Sequence, residues 1–137
     1  DLAAFLAEAM SEAAIAAELA NPQRLYRLAE VGGRLAGYCK LGLTCGFPEH
    51  ARGGHVLELK QLYTDPELTG HGIGTALMDW AMAELAMRGA DEVQLSVYSD
   101  NTDAQRFYAR RGFAKVADVT FRVGEHIDHE FLFARML

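Results

Sequence analysis

Residues 57–84 read LELKQLYTDPELTGHGIGTALMDWAMAE, and this stretch determines the predicted fold. Its first part belongs to a strand predicted over His55–Thr64, which Pro66 ends. Over Ile73–Arg88 the apolar side chains recur with a 3.6-residue period, and Gly89 suits the position after a helix end, so we predict a helix there. A glycine-rich turn joins the two elements.

The flanking sequence predicts more strands and helices. In chain order these are a helix over 1–20 that Asn21-Pro22 ends, a hairpin of Leu25–Val31 and Leu35–Leu41 around Gly32-Gly33, a loop over Gly42–Gly54, a strand over Val93–Tyr98, a helix over Thr102–Arg111 with Asn101 as its cap, and a closing hairpin within Ala114–Leu137 that turns at Val123-Gly124-Glu125. Strands that alternate with helices predict an α/β fold with a partly parallel sheet. We expect one domain over residues 1–137.

Composition narrows the class of protein. The chain has 137 residues, which suits one domain, and its 13 basic and 19 acidic residues give a net charge of −6. An acidic chain is repelled by phosphate backbones, so we expect no nucleic-acid partner. No apolar run approaches the ~20 residues of a membrane span, so we expect no membrane partner. Cys39 and Cys45 make no disulfide framework and indicate reduced thiols in a cytoplasmic protein.

The glycine-rich turn over residues 68–75 suits a phosphate, because its amides and the helix start after it can converge on an anion. The turn lacks the Lys-Ser or Lys-Thr pair of the nucleoside-triphosphate loop. The dinucleotide fingerprint needs glycine at position 75, where this chain has Thr75. The residues alone leave two interpretations, a phosphate site of another kind and a turn that only starts a helix.

A second motif, NTDAQRFYARRGF at residues 101–113, follows the strand after this helix. Together the two stretches resemble the GNAT superfamily of acyl-CoA-dependent N-acetyltransferases. The first matches the family's coenzyme A loop, and the second matches its Asn-x-x-Ala-x-x-Phe/Leu-Tyr-x-x-x-Gly-Phe helix. The resemblance implies the GNAT fold, a mixed central sheet flanked by helices, here without the strand and helix that usually open the family's chains.

The resemblance also implies the reaction, which is direct transfer of an acetyl group from acetyl-CoA to a primary amine of a small molecule, a peptide or a protein. Coenzyme A would lie where two central strands diverge, with its pyrophosphate on the glycine-rich turn. The family's cofactor-binding positions carry over to Leu62, Tyr63, Thr64, Thr69, Gly70, His71, Gly72, Ile73, Gly74, Thr75, Asn101, Ala104 and Tyr108.

Two catalytic roles carry over by the same resemblance. Tyr108 matches the tyrosine that protonates the departing thiolate, and a phenol suits a leaving group whose pKa is near 8–9. Glu58 occupies the strand where many members place a base, although strand alternation also pairs it with Lys60 at the surface. Other candidates for the base are His55, His50, Glu49 and a chain of water molecules.

The chain departs from the family pattern in three places. Thr69 stands where the loop normally has arginine or glutamine, which removes one polar contact to the phosphates. The loop over Gly42–Gly54 has no counterpart in the family, and we expect it to line the acceptor site. Finally, either residues precede Asp1 or one sheet edge is open, in which case a homodimer would cover that edge.

Two other functions are compatible with the sequence. His126, Asp128 and Glu130 share one face of a strand, where they form either a set of metal ligands or, as we expect, the polar outer face of a hairpin. The same coenzyme A loop would also serve a non-catalytic acyl-CoA-binding or sensory module. We therefore predict a metal-independent N-acetyltransferase, with that binding module as the alternative.

Overall fold

The structure, a computed structural model, describes residues 20–68 and 70–137. From residue 21 onward, the described residues form six strands and two α-helices. The strands are β1 Arg24–Val31, β2 Arg34–Gly42, β3 Val56–Thr64, β4 Glu92–Tyr98, β5 Ala114–Val123 and β6 His126–Met136, and the helices are α1 Ile73–Met87 and α2 Thr102–Arg110. Short 3-10 turns cover Pro48–His50 and Pro66–Leu68. Residues 1–19 of the helix predicted over 1–20, and the loop position Thr69, lie outside the described residues. Neither described helix is long and apolar enough to cross a membrane.

The strands form one mixed sheet in the order β1-β2-β3-β4-β6-β5. Among the described strands, β3 and β4 are the one parallel pair, and they pair over three positions at one end, from Val56 opposite Glu92 to Glu58 opposite Gln94. Beyond these pairs β3 continues to Thr64 beside β2 and β4 to Tyr98 beside β6, but the two strands no longer pair with each other, so they diverge in the middle of the sheet. The predicted α/β class and partly parallel sheet are confirmed.

The predicted hairpins and helix ends are confirmed to within about one residue. β1 and β2 pair antiparallel around Gly32 and Gly33, whose φ angles of 57° and 78° are those of a two-residue hairpin turn that glycine adopts at little cost. Helix α1 ends at Met87, and Gly89 has φ of 89°, as expected for a left-handed residue after a helix. β4 begins at Glu92, one residue earlier than predicted.

Both helices lie on one face of the sheet. Leu77, Met78, Ala81 and Leu85 of α1 are buried against the strands in the same cluster as Tyr108 of α2. The strand residues of this cluster include Cys39, Leu41, Leu57, Leu59, Val93, Leu95, Val97 and Phe133. Because alternate residues of a strand face opposite ways, Gln94 and Ser96 of β4 point to the other face, which we call the loop face.

Candidate functional site

Two cavities of about 290 and 320 Å³ lie between the diverging ends of β3 and β4, and we call them the gap cavities. Leu62 and Tyr63 of β3 line both, as do Asn101 and residues of α2. The larger one extends to Thr64, Gly74 and Phe107, next to the glycine-rich turn. The divergence of the strands therefore brings the predicted strand and helix residues around one space. Of the described turn residues only Gly74 lines it, whereas Gly70, His71, Gly72, Ile73 and Thr75 do not.

Tyr108 projects from α2 into both gap cavities. Its side chain is 9% exposed and packs edge-on against Phe107 and Phe113, with ring centroids 5.6 and 6.1 Å away. Burial raises the pKa of Tyr108 to about 12, because the phenolate loses the solvation that water gives it. The hydroxyl has no hydrogen-bond partner within the described part of the chain, so a protonated donor is held at the cavity wall.

The sequence predicted two roles for Asn101, the cap of α2 and a contact to the cofactor. Its Oδ1 accepts a hydrogen bond of 3.1 Å from the amide of Ala104, which confirms the predicted cap of α2. Both residues also line the two gap cavities. The cap holds Asn101 in place beside the cavities, and its contact with a ligand stays a prediction.

The glycine-rich turn has the backbone that an anion site needs. Gly70 and Gly72 have φ angles of 87° and 71°, in the left-handed region that glycine tolerates best, and the space beside both is open. Ile73 then begins α1, while His71 and Thr75 are exposed. The turn therefore offers backbone amides at the positive end of a helix next to the larger gap cavity.

On the loop face lies a third cavity of about 440 Å³, the loop-face cavity. It is lined by Lys40, Gly46, Phe47, Glu58, Lys60, Gln61, Ser96, Phe121 and Glu130. Glu58 is 5% exposed, and Lys60 Nζ lies 3.2 Å from its Oε1. The expected Glu58–Lys60 pair is therefore present, but Glu58 is buried at the wall of a cavity rather than at the surface. The angles of this contact are not those of a hydrogen bond, which leaves Oε1 without a donor among the described residues.

The loop over residues 43–55 covers this face because buried groups of β4 bind its backbone. Gln94 exchanges two hydrogen bonds with the main chain of Phe47, at 3.3 and 3.1 Å. Glu92 accepts from the amides of Arg52 and Gly53 at 2.7 and 3.1 Å and from Arg52 Nε at 2.8 Å. Burial by itself raises the pKa of Glu92, but these donors outweigh it and the pKa is lowered.

The loop-face cavity and the smaller gap cavity meet in the middle of the sheet. Lys60, Gln61 and Ser96 line both, at the point where β3 and β4 separate. A ligand in the gap and a ligand on the loop face can therefore reach one another between the strands. This arrangement suits the transfer of a group between two molecules that enter from opposite sides of a sheet.

Several predicted groups lie away from this meeting point. His55, His50 and Glu49 do not line the loop-face cavity, and the amide of His55 binds Asp91 instead. His126 Nε2 and Asp128 Oδ1 are 2.7 Å apart, while Glu130 lines the cavity. Within residues 20–68 and 70–137, no three His, Cys, Asp or Glu side chains are placed to hold a metal ion.

Sequence reasoning missed Gln61, Ser96, Phe121 and the loop anchors Glu92 and Gln94. The alternation of polar and apolar residues along Glu92–Tyr98 was the available signal, because a polar face on a central strand needs partners. The sequence does not show that those partners come from a loop some 40 residues away.

Comparison with known proteins identifies the family. The sequence model of the protein family described as "Acetyltransferase (GNAT) family" matches residues 3–113. An uncharacterized N-acetyltransferase of Mycobacterium tuberculosis is 36% identical over 137 residues, which cover 99% of this chain and 82% of the relative. The aminoalkylphosphonate N-acetyltransferase of Salmonella typhimurium is 35% identical over 98 residues, or 72% of this chain and 62% of that protein.

Solved structures agree with the family model. The crystal structure of nourseothricin acetyltransferase is similar with a TM-score of 0.69 and 25% identity, over 84% of this chain and 66% of that one. The ribosomal-protein-S18-alanine N-acetyltransferase from Escherichia coli shares the fold, with a TM-score of 0.71 at 19% identity over 93% of this chain and 77% of the other. The chain therefore belongs to the GNAT family of N-acetyltransferases, enzymes that move an acetyl group from acetyl-CoA to an amine.

Proposed function

We propose that this chain transfers the acetyl group of acetyl-CoA to a primary amine that binds in the loop-face cavity. The observation that carries the proposal is the junction at Lys60, Gln61 and Ser96, where this cavity meets the smaller gap cavity. Acetyl-CoA in the gap and an amine on the loop face would meet there without either crossing the sheet. That geometry favours direct transfer over a covalent enzyme intermediate.

Acetyl-CoA binding is assigned to the gap and the glycine-rich turn. Leu62–Thr64 of β3 pair with β2 on one side but not with β4 on the other. On that open side their backbone would hydrogen-bond to the pantetheine arm, and the amides from Gly70 to Thr75 would hold the pyrophosphate. Tyr63, Asn101 and Ala104 line the gap. An amide of β3 beside the thioester would stabilise negative charge on its carbonyl oxygen.

Glu58 and Tyr108 are proposed as base and acid. The amine loses a proton to Glu58, directly or through water, and its nitrogen then forms the bond to the acetyl carbon. As the C–S bond breaks, the nitrogen gives up its second proton to water and the sulfur takes a proton from the Tyr108 hydroxyl. Solvent then restores the proton of Tyr108 and removes the one held by Glu58. The positions support this assignment, because Glu58 lines the loop-face cavity and Tyr108 the gap.

The acceptor is proposed to be a small molecule or a peptide N-terminus. A volume of about 440 Å³ is in the range of small-molecule sites. Two carboxylates, Glu58 and Glu130, and two amines, Lys40 and Lys60, line the cavity, so it accepts polar and charged acceptors. We place the reaction in the cytoplasm, where Cys39 and Cys45 remain thiols.

Calorimetric titration with acetyl-CoA, free CoA and ATP tests the cofactor assignment. We expect both CoA compounds to bind at micromolar concentration and ATP not to bind. Turnover is then measured as release of the CoA thiol with three amines, namely 2-aminoethylphosphonate, spermidine and a peptide with N-terminal alanine. Binding of acetyl-CoA without turnover of any amine would contradict the proposal and favour the non-catalytic binding module.

Tyr108→Phe separates chemistry from binding. Loss of the acid should lower turnover by about 100-fold or more, the usual contribution of one acid–base group. The affinity for acetyl-CoA should stay the same, because the ring still fills its place against Phe107 and Phe113. Unchanged turnover would rule out Tyr108 as the acid.

A further inference from the structure

We propose that Gln94 is a positioning residue that holds the outer wall of the loop-face cavity and thereby sets the affinity for the acceptor amine. The inference rests on the proposed function, since it assumes that the amine binds in this cavity. Gln94 itself does not line the cavity. It acts through the Gly46–Phe47 segment, which does.

The side chain of Gln94 forms hydrogen bonds to the main chain of the loop, as the backbone of a neighbouring strand would. Its side chain is fully buried, its Oε1 accepts from the amide of Phe47, and its Nε2 donates to the carbonyl of Phe47. Cys45 Sγ lies 3.6 Å from the same Oε1. One carboxamide thus satisfies both backbone groups of a residue 47 positions away, which fixes the height of the loop above the sheet.

That height matters because Gly46 directly touches Glu58. A Cβ added to Gly46 would lie 2.9 Å from Glu58 Cδ and closer still to Oε1, so the loop has no room to move inward. Phe47 meets Phe121 of β5 edge-on, with centroids 6.0 Å apart. If the loop rose from the sheet, the cavity would lose a wall beside Glu58 and the contact between these two rings.

The other loop anchors serve a different stretch. Glu92 and Asp91 bind the amides of residues 52–55, at the end of the loop where β3 begins. Among the described residues, Gln94 is the one side chain outside the loop that hydrogen-bonds to the backbone of Gly46–Phe47, and Phe121 contacts only the ring of Phe47. Asp91 therefore offers a matched control, because its loss releases the same loop at the end away from the cavity.

The test compares Gln94→Met with Asp91→Ala in the whole chain. Methionine keeps the length of the side chain but removes both hydrogen bonds. In Gln94→Met we expect hydrogen exchange of residues 43–47 to be about tenfold faster, which corresponds to the net loss of one or two hydrogen bonds. We also expect a rise of about tenfold in KM for the best amine of the panel above, with kcat within about twofold and the affinity for acetyl-CoA unchanged. Asp91→Ala should leave this KM unchanged.

Each outcome is decisive. Exchange of residues 43–47 that stays at the wild-type rate would overturn the proposal, and so would faster exchange with an unchanged KM. An equal loss of acetyl-CoA affinity would show a general structural role and would also overturn it. If Gln94→Met does not fold, Gln94→Glu takes its place, because it keeps the acceptor for the Phe47 amide. Its exchange rate for residues 43–47 and its KM should lie between those of the wild type and those expected for Gln94→Met. A wild type that acetylates no amine would refute the proposed function, and the exchange rate alone would then decide whether Gln94 holds the loop.

Discussion

Gly46→Ala tests whether the position of Glu58 controls the reaction. The added methyl group would lie 2.9 Å from Glu58 Cδ, whereas ordinary van der Waals contact begins at 3.4 Å. The carboxylate must therefore shift by at least about 0.5 Å at Cδ, and by more at Oε1, which is closer to the methyl group. The adjacent cavity of about 440 Å³ gives it space to do so.

The expected magnitude follows from this displacement. Moving a reacting group by about 1 Å costs roughly 100-fold in rate, so a shift of half that distance or more should lower kcat/KM by about 10- to 100-fold. Because Glu58 can move into the cavity, the free energy of unfolding should fall by no more than about 1 kcal/mol, which is the lower end of the usual cost of overpacking. The variant should therefore lose most of its activity while it keeps nearly all of its stability.

The assay is release of the CoA thiol at saturating acetyl-CoA, beside chemical unfolding of the same preparation. Gly54→Ala is the matched control in the same loop, because its Cβ would meet only Asp91 Oδ2 at an ordinary 3.5 Å. That control should keep kcat/KM within about twofold. Wild-type activity in Gly46→Ala would refute the reasoning, since a displaced Glu58 would then not matter.

Three further predictions concern the buried acid, the loop anchor and the helix cap. Since the pKa of Tyr108 is raised to about 12, its phenol stays protonated and kcat should show no alkaline decline up to pH 10; a decline near pH 10 that disappears in Tyr108→Phe would contradict this in a pH–rate profile. The pKa of Glu92 is lowered in the fold, so its carboxylate stabilises the protein above its unfolded pKa of about 4.3 and ceases to do so as pH falls through the folded value. The difference in unfolding free energy between wild type and Glu92→Gln, from urea titrations, should therefore be clear at pH 7 and shrink towards pH 3. Asn101→Ala should lose about 1 kcal/mol of stability in the same titrations, because the amide of Ala104 loses its cap, whereas an unchanged midpoint would show that the cap contributes nothing.

The sequence predicted the elements that depend on local rules. The period of α1, the glycines at Gly32-Gly33 and Gly89, and the cap at Asn101 act within a few residues of one another, and the structure confirms each of them. The resemblance to the family then placed the turn and α2 beside the same gap.

The loop-face cavity could not be predicted in this way. Its wall depends on contacts between residues far apart in the sequence, such as Gln94 with Phe47, which are 47 positions apart. Strand alternation paired Glu58 with Lys60 but did not show that the loop would bury Glu58. Which polar face of a strand meets solvent and which meets a loop is decided by packing, and a single sequence does not carry that information.

The diverging strands have a consequence for the lifetime of the protein. In the described part of the chain, the half of the sheet made of β1, β2 and β3 is paired with the half made of β4, β6 and β5 through three residue pairs. If the pantetheine arm of acetyl-CoA forms hydrogen bonds to β3 within the gap, it would take the place of a neighbouring strand for as long as it is bound. Ligand at 100 times its Kd adds about 2.7 kcal/mol to folding stability. The supply of the acetyl donor would then govern how much intact enzyme a cell retains, as well as how fast that enzyme works.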